Sequence, residues 1–358
     1  MQDAFKTQRS YHPLWIIKQI MLSKEQIRKI FREKNFRIAK SMGQNFLVDR
    51  KVLNRIICSA ELSRDDSVIE IGPGLGTLTE ELAKRCARVI AIEKDKRIAE
   101  LLRMRISCGD SCSTAVSTLE HRKNLRQQKR DGCFSQETSH NNGLRANRYF
   151  SDGSLYYACL KGEQERKIRN VKIIEGDILK MNLSEIIKKY GLDGKHGYKL
   201  ISNIPYYITS PVIRLFLESN IQPKLIVLLV QKEVAERICA KKGKLNILAL
   251  SVQLYGEPEI VGWVNKSSFY PEPKVRSAIL RIRNMRQSFS AGYYKKLFRV
   301  IKIGFSSKRK KLVNNLSAGL GINKEDISKV LLRLKINPDA RAQELGIDDW
   351  KKLTELVG

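Results

Sequence analysis

No run of apolar residues in this 358-residue chain is long enough to cross a bilayer, which excludes a helical membrane-spanning protein. The N-terminus lacks the apolar core and small-residue cleavage site of a secretory leader, so a cytoplasmic protein is expected. Cysteines are few and scattered. The seven form no CxxC pair, which fits a reducing compartment and argues against a disulfide framework. Cys108, Cys112, His121 and Cys133 have the chemistry of zinc ligands, but the segment holds no second well-spaced pair, and no metal is expected. Acidic residues are scarce as well. Against 67 Lys+Arg stand 37 Asp+Glu, a formal charge of +30. Such a field draws polyanions from a distance and makes their binding salt-dependent, so nucleic acid is the expected partner. The basic excess is uneven. It is concentrated before Asn45 and after Gly262, around a more balanced middle.

That middle carries the chemistry. Residues 68–71, Val-Ile-Glu-Ile, read as a short buried strand. They run into the turn Gly72-Pro73-Gly74-Leu75-Gly76 and then a helical pattern over 77–84. Glycines at such a turn let backbone approach a ligand closely, and the helix start adds free N–H groups. A second strand, 88–92, ends at Glu93, which is placed to accept hydrogen bonds from ribose hydroxyls. A GxGxG turn about twenty residues before an acidic residue favours a cofactor containing a nucleoside. By itself it leaves NAD and S-adenosylmethionine open. The next two strands decide between them. The third, 171–175, is closed by Gly176-Asp177, where Asp177 can accept from an adenine amine. The fourth, 198–202, ends in Asn203-Ile204-Pro205-Tyr206. The Asn203 side-chain carbonyl and the Ile204 or Pro205 backbone carbonyl can accept the two hydrogens of an exocyclic amine. Pro205 holds that backbone in one shape, and Tyr206 offers a face for stacking. A hydride-transfer enzyme has no use for an amine site at this place.

In these motifs the chain resembles the small-subunit ribosomal RNA adenine-N6,N6-dimethyltransferase family, whose relatives include the Erm enzymes acting on large-subunit RNA. The matching segments are Lys40-Ser-Met-Gly-Gln-Asn-Phe-Leu47, Glu70-Ile-Gly-Pro-Gly-Leu-Gly76, Glu93, Gly176-Asp177 and Asn203-Ile-Pro-Tyr206. Gln231-Lys-Glu-Val-Ala-Glu-Arg237, Phe269-Tyr-Pro-Glu-Pro-Lys-Val-Arg-Ser277 and Phe305-Ser-Ser-Lys-Arg-Lys-Lys311 follow in the family's order. The resemblance implies an α/β, Rossmann-like class I S-adenosylmethionine-dependent methyltransferase sheet with a small C-terminal all-helical domain. It implies that Asn45 and Leu47 line the cofactor site and that Gly72 and Gly74 sit against its methionine part. Glu93 would take the ribose, Asp177 the cofactor adenine, and Asn203 both the cofactor and the target amine. The target adenine would stack on Tyr206, with Phe269 closing the other side. The partner implied is small-subunit rRNA in a pre-30S particle, met by a monomer.

The expected organisation follows from composition and pattern. Residues 1–38 form a basic extension whose helix, beginning at Ser23, docks on the core. Residues 39–286 form the catalytic domain, with a further strand over 275–283 at the sheet edge. Residues 107–167 interrupt it with a polar stretch read as a disordered insertion, and 287–358 form the helical RNA-binding domain. Tyr207 reads as a packing residue. Glu233 and Glu236 are not a catalytic pair, because the chemistry needs none. Two alternatives stay open: an Erm-type enzyme on large-subunit RNA, and a non-catalytic ribosome assembly factor on the same fold.

Overall fold

Seven strands lie in the order β4-β3-β2-β5-β6-β9-β7 in a computed structural model that describes residues 21–33, 44–108, 168–286 and 290–357. The expected insertion lies outside these residues, apart from its first two positions, as do Cys112, His121, Cys133 and residues 1–20. The strands are β2 (Ser67–Ile71), β3 (Arg88–Glu93), β4 (Val171–Glu175), β5 (Lys199–Asn203), β6 (Leu225–Gln231), β7 (Glu257–Val264) and β9 (Ser277–Arg283). The first five are parallel, and β9 runs antiparallel to both β6 and β7. β6 is apolar almost throughout because both of its faces are covered. The sequence reading puts the late strand at the sheet edge. The structure corrects this: β9 is inserted between β6 and β7, and β7 is the edge. β7 escapes a periodicity reading because Pro258, Gly262 and a register shift between Ile260 and Gly262 break its alternation.

The chain reverses its strand order between β2 and β5. A crevice opens there at the carboxyl ends of the strands, the place where open α/β sheets bind ligands. Ser202 Oγ donates to the Ile71 carbonyl and ties the two strand ends together across that gap. Helices α2 (Arg50–Ser59) and α3 (Thr77–Ala83) pack on one face of the sheet. On the other face lie α5 (Leu183–Lys189), α6 (Thr209–Leu217), α7 (Lys232–Ile238) and α8 (Ile247–Gln253). Helix α4 (Lys96–Cys108) follows β3. Helix α1 (Lys24–Glu33) starts at a reciprocal cap. The Ser23 N–H donates to Gln26 Oε1 at 2.7 Å, and the Gln26 N–H donates to Ser23 Oγ at 3.2 Å. Its buried Ile27 and Phe31 dock it as expected. Phe31 meets the Phe46 ring edge-on at 5.4 Å.

The chain ends in four helices, α9 (Ala291–Gly304), α10 (Leu312–Leu320), α11 (Lys324–Arg333) and α12 (Ile347–Val357). Trp350 is their wholly buried centre, stacked on Phe305 at 5.6 Å. Tyr255, which precedes β7, stacks on Tyr294 of α9 at 4.6 Å, so the helices share a core with the sheet. Asn315 Nδ2 donates to the carbonyls of Gly304 and Ser307 and holds the turn on which Lys308, Arg309, Lys310 and Lys311 stand exposed. Among the described residues, no helix is long and apolar enough to cross a membrane, and no group of His, Cys, Asp and Glu is arranged to hold a metal.

Gly76 precedes α3 at φ +85°, and a Cβ there would sit 2.4 Å from Leu102 Cδ1. Gly76→Ala combines left-handed strain with overpacking against α4. It is expected to lower unfolding stability by about 2 kcal/mol, read from denaturant melts.

Candidate active site

One crevice collects most of the residues singled out above. Its walls are the strand ends β2, β3, β4 and β5, the glycine turn, and the segment around β1 (Phe46–Leu47). Gly72 and Gly74 have φ +65° and +57°, which only glycine adopts without strain. The close contacts are as informative as the angles. A Cβ on Gly72 would meet Pro205 Cδ at 3.2 Å, and one on Gly74 would meet the Phe46 ring at 3.1 Å. The glycine turn is therefore touched from one side by the Asn-Ile-Pro-Tyr segment and from the other by the arm that carries Asn45 and Leu47.

Glu93 is buried at the end of β3. Its Oε2 accepts the Gly74 N–H at 3.2 Å and its Oε1 accepts the Asp95 N–H at 2.9 Å. Burial raises its pKa, and these two backbone donors oppose the shift. Asp177 stands at the end of β4. Its Oδ1 accepts the Leu179 N–H at 3.1 Å and its Oδ2 pairs with Lys94 Nζ at 3.0 Å. Burial works against its ionised form, but Lys94 and the Leu179 N–H outweigh it and hold its pKa down.

At the end of β5, Asn203 Nδ2 donates to the Asn45 carbonyl at 3.0 Å. The amide is thereby oriented, and its Oδ1 has no donor among the described residues. The Pro205 carbonyl takes the Ile208 N–H at 3.1 Å. Of the two backbone acceptors considered from the sequence, the Ile204 carbonyl is the one left open. The Tyr206 hydroxyl is hydrogen-bonded to Ser277 Oγ at 2.6 Å, which fixes the swing of its ring; burial raises its pKa and keeps the phenol neutral.

Two expectations are corrected. Phe269 is wholly buried and does not line the crevice. It belongs to β8 (Phe269–Tyr270), which pairs antiparallel with β1, Leu47 opposite Phe269. Its ring packs in the core beneath the arm, so no face is open to a base. Tyr207, read as a packing residue, is 52% exposed and lines the crevice. Among the lining residues that were given no site role from the sequence are Glu70, Lys94 and Tyr207. Glu70 had a visible signal, a carboxylate inside an apolar strand. It is wholly buried, and burial pushes its pKa up to about 8, with the Thr79 hydroxyl opposing and the Glu93 charge reinforcing the shift. Its Oε2 has no hydrogen-bond partner among the described residues.

The crevice suits a nucleoside joined to a small zwitterion. Side-chain-free backbone lines one end, a buried carboxylate stands one strand away, and a second carboxylate caps the next. The fold and this site define a class I S-adenosylmethionine-dependent methyltransferase. A family model described as ribosomal RNA adenine dimethylase matches residues 35–119 and 152–357, and the chain belongs to that family. As a member it is an S-adenosylmethionine-dependent enzyme that methylates adenine in ribosomal RNA. The match skips residues 120–151, inside the expected insertion. The chain is 34% identical over 329 residues to a ribosomal RNA small subunit methyltransferase A from Dehalococcoides mccartyi, covering 92% of this chain and 91% of that one. To the protein of that name from Clostridioides difficile it is 31% identical over 337 residues, covering 92% and 94%. Two solved structures share the fold. A dimethyladenosine transferase from Plasmodium falciparum has a TM-score of 0.59 at 23% identity, over 86% of this chain and 95% of that one. The 23S rRNA methyltransferase ErmE has a TM-score of 0.56 at 22% identity, over 87% and 99%.

Glu93→Ala removes the acceptor at the end of β3. It is expected to weaken S-adenosylmethionine binding by about 1–3 kcal/mol, measured by calorimetry; unchanged affinity would remove Glu93 from the site.

Proposed function

We propose that the protein transfers methyl groups to N6 of two adjacent adenines in a loop near the 3′ end of small-subunit rRNA, during ribosome biogenesis. It acts as a cytoplasmic monomer on the pre-30S particle. The observation that carries this reading is the oriented Asn203 amide, whose unoccupied Oδ1 opens on the same crevice as the glycine turn. When bound, S-adenosylmethionine supplies an electrophilic methyl carbon on a sulfonium, so the leaving group needs no help. Gly72 and Gly74 hold its methionine part, Asn45 and Leu47 close over it, Glu93 takes the ribose, and Asp177 takes the adenine. Asn203 Oδ1 and the Ile204 carbonyl accept the two hydrogens of the target amine and turn its nitrogen toward the crevice. Pro205 fixes that backbone against Gly72, and Tyr206 carries the base.

A base gripped in this way has left its stack, so single-stranded or loop RNA is the natural substrate. No general base is needed, because the amine loses its proton easily once the nitrogen is alkylated. The four exposed cations at 308–311 and the helical segment 287–358 supply phosphate contacts. The two small-subunit relatives and the long basic C-terminal segment favour this reading over an Erm-type reaction. Mass spectrometry of small-subunit RNA, after incubation with protein and labelled S-adenosylmethionine, is expected to find dimethyladenine at two neighbouring positions. Label appearing in large-subunit RNA instead, or in neither, would overturn the proposal.

A further inference from the structure

We infer that Trp263, with the cations around it, is a second stacking platform that takes an unpaired base of the RNA strand leading to the methylation pocket. The inference rests on the reading that the pocket accepts adenine from RNA. Trp263 is the next-to-last residue of the edge strand β7 and is 40% exposed, unusual for so large an apolar ring on a sheet rim. Lys232 Nζ lies 5.4 Å from its ring centroid, in cation–π range, and also pairs with Glu236 at 3.5 Å. Lys266, Lys274 and Arg276 are exposed nearby in sequence and register, and none has an ion pair among the described residues. An exposed aromatic flanked by free cations is the pattern by which proteins hold single-stranded nucleic acid.

Position ties this patch to the pocket. Trp263 pairs with Ala278, and its neighbour Val264 pairs with Ser277. Ser277 is the residue whose hydroxyl bonds Tyr206, and it also stands opposite Gln231 at the end of β6. Pocket and platform therefore share the carboxyl rim of one sheet, three strand steps or roughly 14 Å apart from β5 to β7. A short unpaired stretch of RNA spans that distance.

The edge itself argues against a peptide strand as the occupant. Arg55 Nη2 donates to the Val261 carbonyl at 3.3 Å and Nη1 to the Trp263 carbonyl at 3.4 Å, so two acceptors that a strand pairing beside Trp263 would use are already engaged. The same clamp gives the indole a rigid base.

The test uses the full chain, single-stranded oligoadenylate and small subunits that lack the modification. In a Trp15→Phe background, the emission of exposed Trp263 is expected to be quenched by oligoadenylate, since Trp350 is wholly buried. Trp263→Ala is expected to weaken oligoadenylate binding about tenfold, with Trp263→Phe recovering most of it and S-adenosylmethionine affinity unchanged by calorimetry. Lys274→Ala and Arg276→Ala are each expected to lower the salt dependence of RNA binding by about one contact. Trp263→Ala binding as tightly as the unmodified chain would overturn the platform. So would a loss seen only with intact subunits, which would reassign the surface to a protein contact. Methylation by the unmodified chain is measured in parallel. If it methylates small-subunit adenines while Trp263 proves indifferent, the platform alone fails. If it does not, while Trp263 still controls oligoadenylate binding, the substrate reading fails and the platform stands.

Discussion

Asn203→Ala is expected to reduce methyl transfer by about a hundredfold or more while leaving RNA affinity within about threefold, because in the proposed role the lost contact orients the target amine and adds little to overall grip. Asn203 Nδ2 donates to the Asn45 carbonyl, which leaves Oδ1 facing the crevice as an acceptor with no other donor among the described residues. Alanine removes the acceptor and the tether to the arm together. Asn203→Asp separates the two, since it keeps acceptor oxygens but cannot donate to Asn45. More turnover in the Asp variant than in the Ala variant would assign the effect to the acceptor. Equal loss in both would assign it to the arm. Single-turnover assays on isolated small subunits, with RNA affinity measured separately, make the comparison. Normal turnover in Asn203→Ala would remove Asn203 from the chemistry.

Much of this site was legible from the chain because the fold writes it at strand ends. A parallel sheet covered on both faces produces short apolar runs, and each run stops where a residue must meet ligand or solvent. Gly72, Glu93, Asp177 and Asn203 were all found at such stops. What pattern could not supply was pairing across the sheet. Pro258 is compatible with an edge strand, but nothing local in 257–264 names its neighbour, and nothing in 277–283 says that it is inserted beside β6. Phe269 illustrates the same limit. An aromatic beside a proline-rich turn can face a base or a core, and only its pairing with Leu47 across β1 and β8 decides for the core. Lys94 was hidden for another reason. Its partner Asp177 lies 83 positions away, on the neighbouring strand end, and only the parallel register of β3 with β4 brings them within 3.0 Å. The consequence is functional, because the carboxylate read as an adenine acceptor is already engaged by a lysine that lines the same crevice.

The stability of the protein is expected to fall as pH rises from about 5 to about 8, and Glu70→Gln is expected to flatten most of that fall. Glu70 is wholly buried, and its folded-state pKa lies near 8 against an ordinary value of 4.5. Between those values the folded chain holds a proton that the unfolded chain has lost. The folded state then binds more protons, so unfolding free energy drops with pH by roughly 1.4 kcal/mol per unit at most, amounting to a few kcal/mol across the window. Below 4.5 both states are protonated, above 8 both are ionised, and the contribution is level on either side. Glu93, also raised by burial, adds a slope of the same sign. Asp66, Asp95, Asp177 and Asp349 have lowered values and act in the opposite sense, losing stability only as pH falls below their ordinary 3.8, outside this window. The difference between the unmodified chain and Glu70→Gln, taken from urea melts at several pH values, cancels the groups that do not interact with Glu70 and reports this carboxyl together with its coupling to Glu93. Because Glu70 lines the crevice, a cationic ligand there favours its ionised form and is expected to reduce the slope, whereas the demethylated, less cationic product reduces it less. A flat difference curve between pH 5 and 8 would mean that water or a local rearrangement solvates Glu70. In that case its unpartnered Oε2 would no longer mark a water-free position in the crevice wall.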